Sequence, residues 1–156
     1  MPAPLAAVTI ALAALFAVPA PALADEGARP APRLQSPADA LPRPTDPELR
    51  TAMTGLRDLI DARLRGAATQ PMTEADYVGL AADIDQRLAA ISAGRDFHSR
   101  AGRHLQWVLG DIADGAALMR SAPRVPGKRM GLLRVAETLN FYGREYDHPG
   151  WAALKP

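Results

Sequence analysis

Beyond residue 45 the chain writes one pattern four times: large apolar residues three or four positions apart, then a proline or glycine that breaks the run. Leu49, Met53, Leu56, Ile60 and Leu64 make the first stripe, and Tyr77, Leu80, Ile84, Leu88 and Ile91 the second. Leu105, Val108, Ile112, Ala116 and Met119 follow, then Leu132, Val135, Ala136, Leu139, Tyr142 and Tyr146. Side chains at that spacing share one face of an α-helix, whereas a half-buried strand needs strict alternation. No alternating run of strand length occurs, and β-branched residues are sparse.

The breaks fit helix ends. Thr45-Asp46-Pro47-Glu48 offers a side-chain cap, an early proline and a carboxylate for the first turn, and Gly66 and Pro71 close that segment. Thr73 with Asp76 forms a capping box with a shorter acid than usual, and Gly94 stops the second helix. The third opens near Asp96 or Ser99 and breaks at Pro123 and Pro126, while the fourth opens near Pro126 to Lys128 and closes at Pro149-Gly150. Four helices of roughly 17 to 24 residues, each with one apolar stripe and short connections, predict an all-α fold: an antiparallel up-down-up-down four-helix bundle over residues 46–156. Gly55, Gly79, Gly110, Gly115, Gly131 and Gly143 fall inside these helices, and some are expected to permit close helix approach.

The first 24 residues carry no Asp, Glu, Lys or Arg, and Leu5 to Val18 is an apolar stretch too short to span a membrane. Ala22-Leu23-Ala24 then presents small residues ahead of Asp25. This predicts a signal peptide over 1–24, cleaved between Ala24 and Asp25, and a periplasmic or secreted mature protein. From 25 to 45 prolines recur among Ala and Arg, as in a flexible, extended linker. With 18 basic and 17 acidic residues interspersed, no stripe suited to nucleic acid is present. The absence of cysteine excludes disulfides, thiolate metal sites and thioether-linked haem.

Bundle topology would gather Met53, His98, His104, Asp147 and His148 at one pole. Imidazole beside thioether suits copper or another transition metal, so Met53, His98, His104 and His148 are the candidate ligands. Alternatively these are polar residues at helix ends, with a protonated His148 facing the carbonyls that end helix four. A b-type haem held by Met53 and His148 is a weaker match, because His148 precedes a proline and is biased away from helix. No nucleophile elbow, phosphate loop or Glu-x-x-His pair appears, so an enzyme is not expected. On a helical wheel Trp107 points away from the third stripe, near Arg100, Arg103 and Leu118. Those four residues have the composition of a site for a protein partner or homodimer, unless Arg103 simply covers the ring.

The helix-three run "HLQWVLGDIADGAALM" and the closing "YGREYDHPGW" resemble the DnrO-like family of small periplasmic helical proteins, over about residues 46–152. The resemblance implies an exported accessory protein associated with respiratory or denitrification metabolism. It also implies a histidine-rich tail, a cysteine between helices two and three, and a histidine inside helix three; if the family binds a metal through those groups, this chain has lost or rebuilt the site. Here the tail lacks histidine, Arg95 stands near the cysteine's place, and Gln106 takes the histidine's place two residues from His104. Asp147 and His148 carry over.

Overall fold

The computed structural model describes residues 41–156, so the signal peptide expected over 1–24 and most of the linker expected over 25–45 lie outside the described residues. Among the described residues the protein is all-helical: α1 (Pro47–Thr69), α2 (Glu74–Ser92), α3 (Arg100–Ser121) and α4 (Val125–Glu145), with no β-strand and one isolated bridge between Arg43 and Tyr146. No helix among them is long and apolar enough to cross a membrane.

Each helix starts where side-chain chemistry allows it. The Asp46 carboxylate accepts from the Leu49 amide at 2.7 Å, with Pro47 leading the first turn. Thr73 and Asp76 cap α2 reciprocally, and Ser99 accepts from the Gly102 amide at 3.0 Å to open α3. α4 has no side-chain cap at Arg124, but Pro126 in its first turn needs no amide partner. α1 runs through Gly66 and stops at Thr69, ahead of Pro71, because a single glycine costs a helix only about 1 kcal/mol. Gly94 takes a φ of +71°, as expected of a helix stop.

The stripes meet in one core that includes Met53, Leu56, Ile60, Leu80, Ile84, Ile112, Met119, Val135, Leu139 and Tyr142. α3 and α4 pack most closely, and the reason is a pair of glycines. A Cβ on Gly131 would lie 2.5 Å from the Gly115 carbonyl oxygen, and one on Gly115 would lie 2.6 Å from Val135. Along this seam His104 stands opposite Tyr146, Asp111 opposite Arg134 and Thr138, and Met119 opposite Lys128. The buried Lys128 ammonium donates to the Met119 and Arg120 carbonyls at 3.0 Å each, satisfying acceptors that the end of α3 leaves open. α2 bridges α1 and α3 and also touches α4, whereas α1 and α3 do not meet.

The last residues of the Pro-rich segment do not hang free. The Arg43 amide donates to the Glu145 carbonyl at 2.8 Å, the Asp147 amide donates to the Arg43 carbonyl at 2.7 Å, and Arg43 pairs with the Glu145 carboxylate. Thr45 donates to the Asp147 carbonyl. The chain past the end of α4 has open backbone groups, and this strap supplies their partners. Arg43 and Thr45, within the stretch expected as linker, are thus bonded to the end of α4 and the residues after it.

Candidate functional site

α4 ends at Glu145, and the next residues fold back rather than continue. Gly150, at a φ of +81°, turns the chain, and the Trp151 amide donates to the His148 carbonyl at 3.1 Å. The Trp151 ring then lies on Gly143, where a Cβ would come within 2.1 Å of it, and meets Tyr142 and His148 edge-on at 5.0 and 4.9 Å. Asn140 clamps the tail further along, its amide exchanging two hydrogen bonds with the Leu154 backbone at 2.7 and 2.9 Å. Arg57 of α1 donates to the Ala152 carbonyl at 2.8 Å.

Beneath this turn lies a row of rings. Tyr142 and Tyr146, one turn apart on α4, stack with centroids 4.6 Å apart and planes 21° apart. The Tyr146 hydroxyl bonds His104 Nδ1 at 2.8 Å, and the Tyr142 hydroxyl bonds His148 Nδ1 at 3.0 Å. His148 Nε2 reaches the Thr54 hydroxyl of α1 at 3.2 Å. An imidazole protonated on Nε2 alone satisfies both of the His148 contacts. Burial, helped by Arg50, lowers the pKa of His148, and burial with Arg43 nearby lowers that of His104, so both rings stay neutral near pH 7. Burial pushes Tyr146 up to about 12 and Tyr142 higher still, so both phenols keep their protons.

This corrects the expected role of His148. It does not cap the carbonyls of α4 as a cation; it accepts from Tyr142 as a neutral ring. Of the candidate metal ligands, the fold brings His104 and His148 to one pole with the tyrosine pair between them. Met53 is fully enclosed in the core, and His98 is exposed where its amide donates to Asp96 at the approach to α3. Among the described residues no group of three or more His, Asp or Glu side chains is arranged to hold a metal ion. The same pole carries the Asp46–Arg95 pair at 2.8 Å, which with the Leu49 amide lowers Asp46 to about 2. A recess of about 460 Å³ beside it is floored by Leu49, Phe97 and Leu105.

The second candidate surface is the outer seam of α3 and α4. Trp107 is 57% exposed, meets Phe141 edge-on at 5.4 Å and lies 6.1 Å from the His104 ring. Arg103 turns back to the His98 carbonyl, and it is Arg144 that lies over an aromatic ring, 5.9 Å from Phe141. Arg134 spans Asp111 and Asp114, and Asp111, Arg134, Glu137 and Thr138 line a shallow niche of about 220 Å³ beside Trp107. Leu118 and Met130 are exposed on the same two helices, and Arg100 opens α3. Phe141, the tyrosine hydroxyl partners and the Arg43 strap are absent from the sequence expectation. Only the tyrosines left a signal there, since a buried phenol must find a partner.

No protein-family model matches the chain, and no curated protein or solved structure matches it.

Proposed function

We propose that this chain is an exported, non-catalytic helical bundle that binds a protein partner, or a second copy of itself, through the outer seam of α3 and α4. Trp107 carries the reading. An indole left more than half in water, propped by Phe141 and His104 and with Arg134 across the adjoining niche, has the makeup of an interface anchor. The test is Trp107→Ala, with co-purification from the native host and sedimentation of the pure protein as readouts. Loss of a partner or dimer with little change in melting supports the reading. Destabilisation by several kcal/mol, as a core ring would give, refutes it.

The bundle is read as up-down-up-down, supported by the pairing of Asp46 before α1 with Arg95 after α2, and by His104, Asp111 and Met119 of α3 meeting Tyr146, Arg134 and Lys128 in falling order. Export, and a place beside respiratory or denitrification metabolism, rest on the charge-free leader and on the DnrO-like resemblance. Mass spectrometry of the exported protein should find Asp25 at its amino terminus.

A second reading, copper or another transition metal at the pole, is favoured by the convergence of His104 and His148. A metal taking one nitrogen of His148 would displace either Tyr142 or Thr54, and Met53 would have to leave the core, so this reading stands behind the first. Copper titration followed by electron paramagnetic resonance decides it: binding lost in His148→Ala and reduced in His104→Ala supports the site. A b-type haem needs the same enclosed Met53 and engaged His148, and stands third.

A further inference from the structure

Each tyrosine of the pole bonds an imidazole Nδ1, which accepts from the phenol when the ring is protonated on Nε2 alone, and the two phenol rings are stacked on one another. Such an arrangement does more than satisfy two hydroxyls. A phenol that loses an electron becomes a very strong acid, so a buried tyrosine is readily oxidised only where a base stands ready to take its proton. Here each phenol has one, at 2.8 and 3.0 Å. Stacking at 4.6 Å lets the two rings share an electron vacancy. The row also has an outlet. From Tyr146 the rings continue to His104 at 5.5 Å and from there to the exposed Trp107 at 6.1 Å.

We propose that Tyr142 and Tyr146, with His148 and His104 as their proton acceptors, form a one-electron redox site whose electron leaves through Trp107. The co-reactant is a strong one-electron oxidant of the high-valent metal complex class, meeting the protein at the Trp107 face. The oxidant takes one electron and is reduced by one unit. The Tyr146 O–H bond breaks, its proton moves to His104 Nδ1, and the products are a neutral tyrosyl radical and an imidazolium. Tyr142 and His148 undergo the same exchange, with Thr54 holding the far side of the His148 ring. His104 is half-buried, so its other nitrogen can pass a proton to water, which makes Tyr146 the outer member of the pair. The site is independent of the partner-binding reading: its ring row and its hydrogen bonds remain even if no protein docks on Trp107.

The protein carries its own control. Tyr77 is the third tyrosine of the sequence, also buried, and it makes no hydrogen bond to an imidazole among the described residues. Flash oxidation of the full chain by a photogenerated ruthenium(III) polypyridyl complex, followed by electron paramagnetic resonance and transient absorption, reads the radical directly. Wild type should give a neutral tyrosyl signal whose formation slows in heavy water. Tyr142→Phe and Tyr146→Phe should each keep a radical on the remaining ring. The double variant should lose the signal although Tyr77 is still present. Replacing both His104 and His148 by Leu should also lose it, and Trp107→Phe should slow its formation. A signal that survives in the double tyrosine variant, or in a folded double histidine variant, overturns the proposal. If the histidine variants do not fold, the double tyrosine variant decides alone, since phenylalanine keeps the ring stack.

Discussion

Gly143→Ala separates two opposite forces on one methyl group. In an exposed helix interior, glycine to alanine stabilises by about 0.5–1 kcal/mol, because alanine loses less backbone entropy on folding. At Gly143 that Cβ would sit 2.1 Å from Trp151 Cδ1 and 2.2 Å from Nε1, distances no packing tolerates. The indole must leave its seat on Tyr142 and His148. A fully buried tryptophan lost from a core costs about 3–5 kcal/mol. Trp151 is only partly buried, and its Nε1 is enclosed without a hydrogen-bond partner, so release lets that group hydrate. The net expectation is a loss of about 1–2 kcal/mol. Gly79 and Gly110 have nothing within 4 Å of a built Cβ, so Gly79→Ala and Gly110→Ala should each gain about 0.5–1 kcal/mol. Urea unfolding followed by circular dichroism measures all three. In a Trp107→Phe background, Trp151 is the one tryptophan left, and its emission should shift to the red in Gly143→Ala. Equal stabilisation by all three substitutions, with that emission unmoved, would show that Trp151 is not seated on Gly143.

Gly131→Ala should destabilise by about 1–3 kcal/mol, since the atom it meets at 2.5 Å is the Gly115 backbone oxygen, which cannot rotate away; thermal melts against Gly79→Ala measure this. His104 and His148 have folded pKa values below the ordinary 6.5, so the unfolded chain binds more protons in that range and stability falls as pH drops below about 6.5. Melting temperature followed from about pH 8 to about pH 5 should show the fall, and a double Gln variant at the two positions should flatten it. Asp46, held at about 2, adds stability that is present above its ordinary value of 3.8 and is lost as pH falls through about 2. Its side chain is half exposed, so screening limits that contribution, and Asp46→Ala should cost about 1 kcal/mol by chemical denaturation near neutral pH, mostly as a lost helix cap.

The four helices were legible because their stripes keep one spacing from end to end, and every stripe residue but the half-buried Leu64 is buried in the core. The close seam was half legible. Gly115 lies three residues past Ile112 and seven past Val108, and Gly131 lies four before Val135, so both fall on inward faces. Gly79 and Gly110 do not, and they face open space. Position against the stripe carries that information; the mere presence of a glycine does not. The strap was not legible. Arg43 and Thr45 sit in a composition that reads as spacer, and what orders them is the set of unpaired backbone groups after Glu145, more than ninety residues away. Nothing local to Arg43 signals that partner.

At the pole two effects compete for His148. A protonated histidine at a helix end gains about 0.3–1 kcal/mol from the helix dipole. That favours the cap expected of His148, until Tyr142 is considered. Its hydroxyl is enclosed, and a buried hydroxyl without a partner costs about 1–3 kcal/mol. The nearest group able to accept from it is His148 Nδ1, and accepting requires a neutral ring. An unpaired phenol would cost more than the dipole returns, so the imidazole belongs to Tyr142 rather than to the carbonyls of α4. The same inequality governs any metal that competes for the pole. At His148 it must displace Tyr142 if it takes Nδ1 or Thr54 if it takes Nε2, and at His104 it displaces Tyr146 only by taking Nδ1. Tyr142→Phe frees Nδ1 while keeping the ring, so copper that binds His148 through Nδ1 should bind this variant more tightly than wild type. Equal or weaker binding in Tyr142→Phe would show that copper does not take Nδ1 in competition with the phenol.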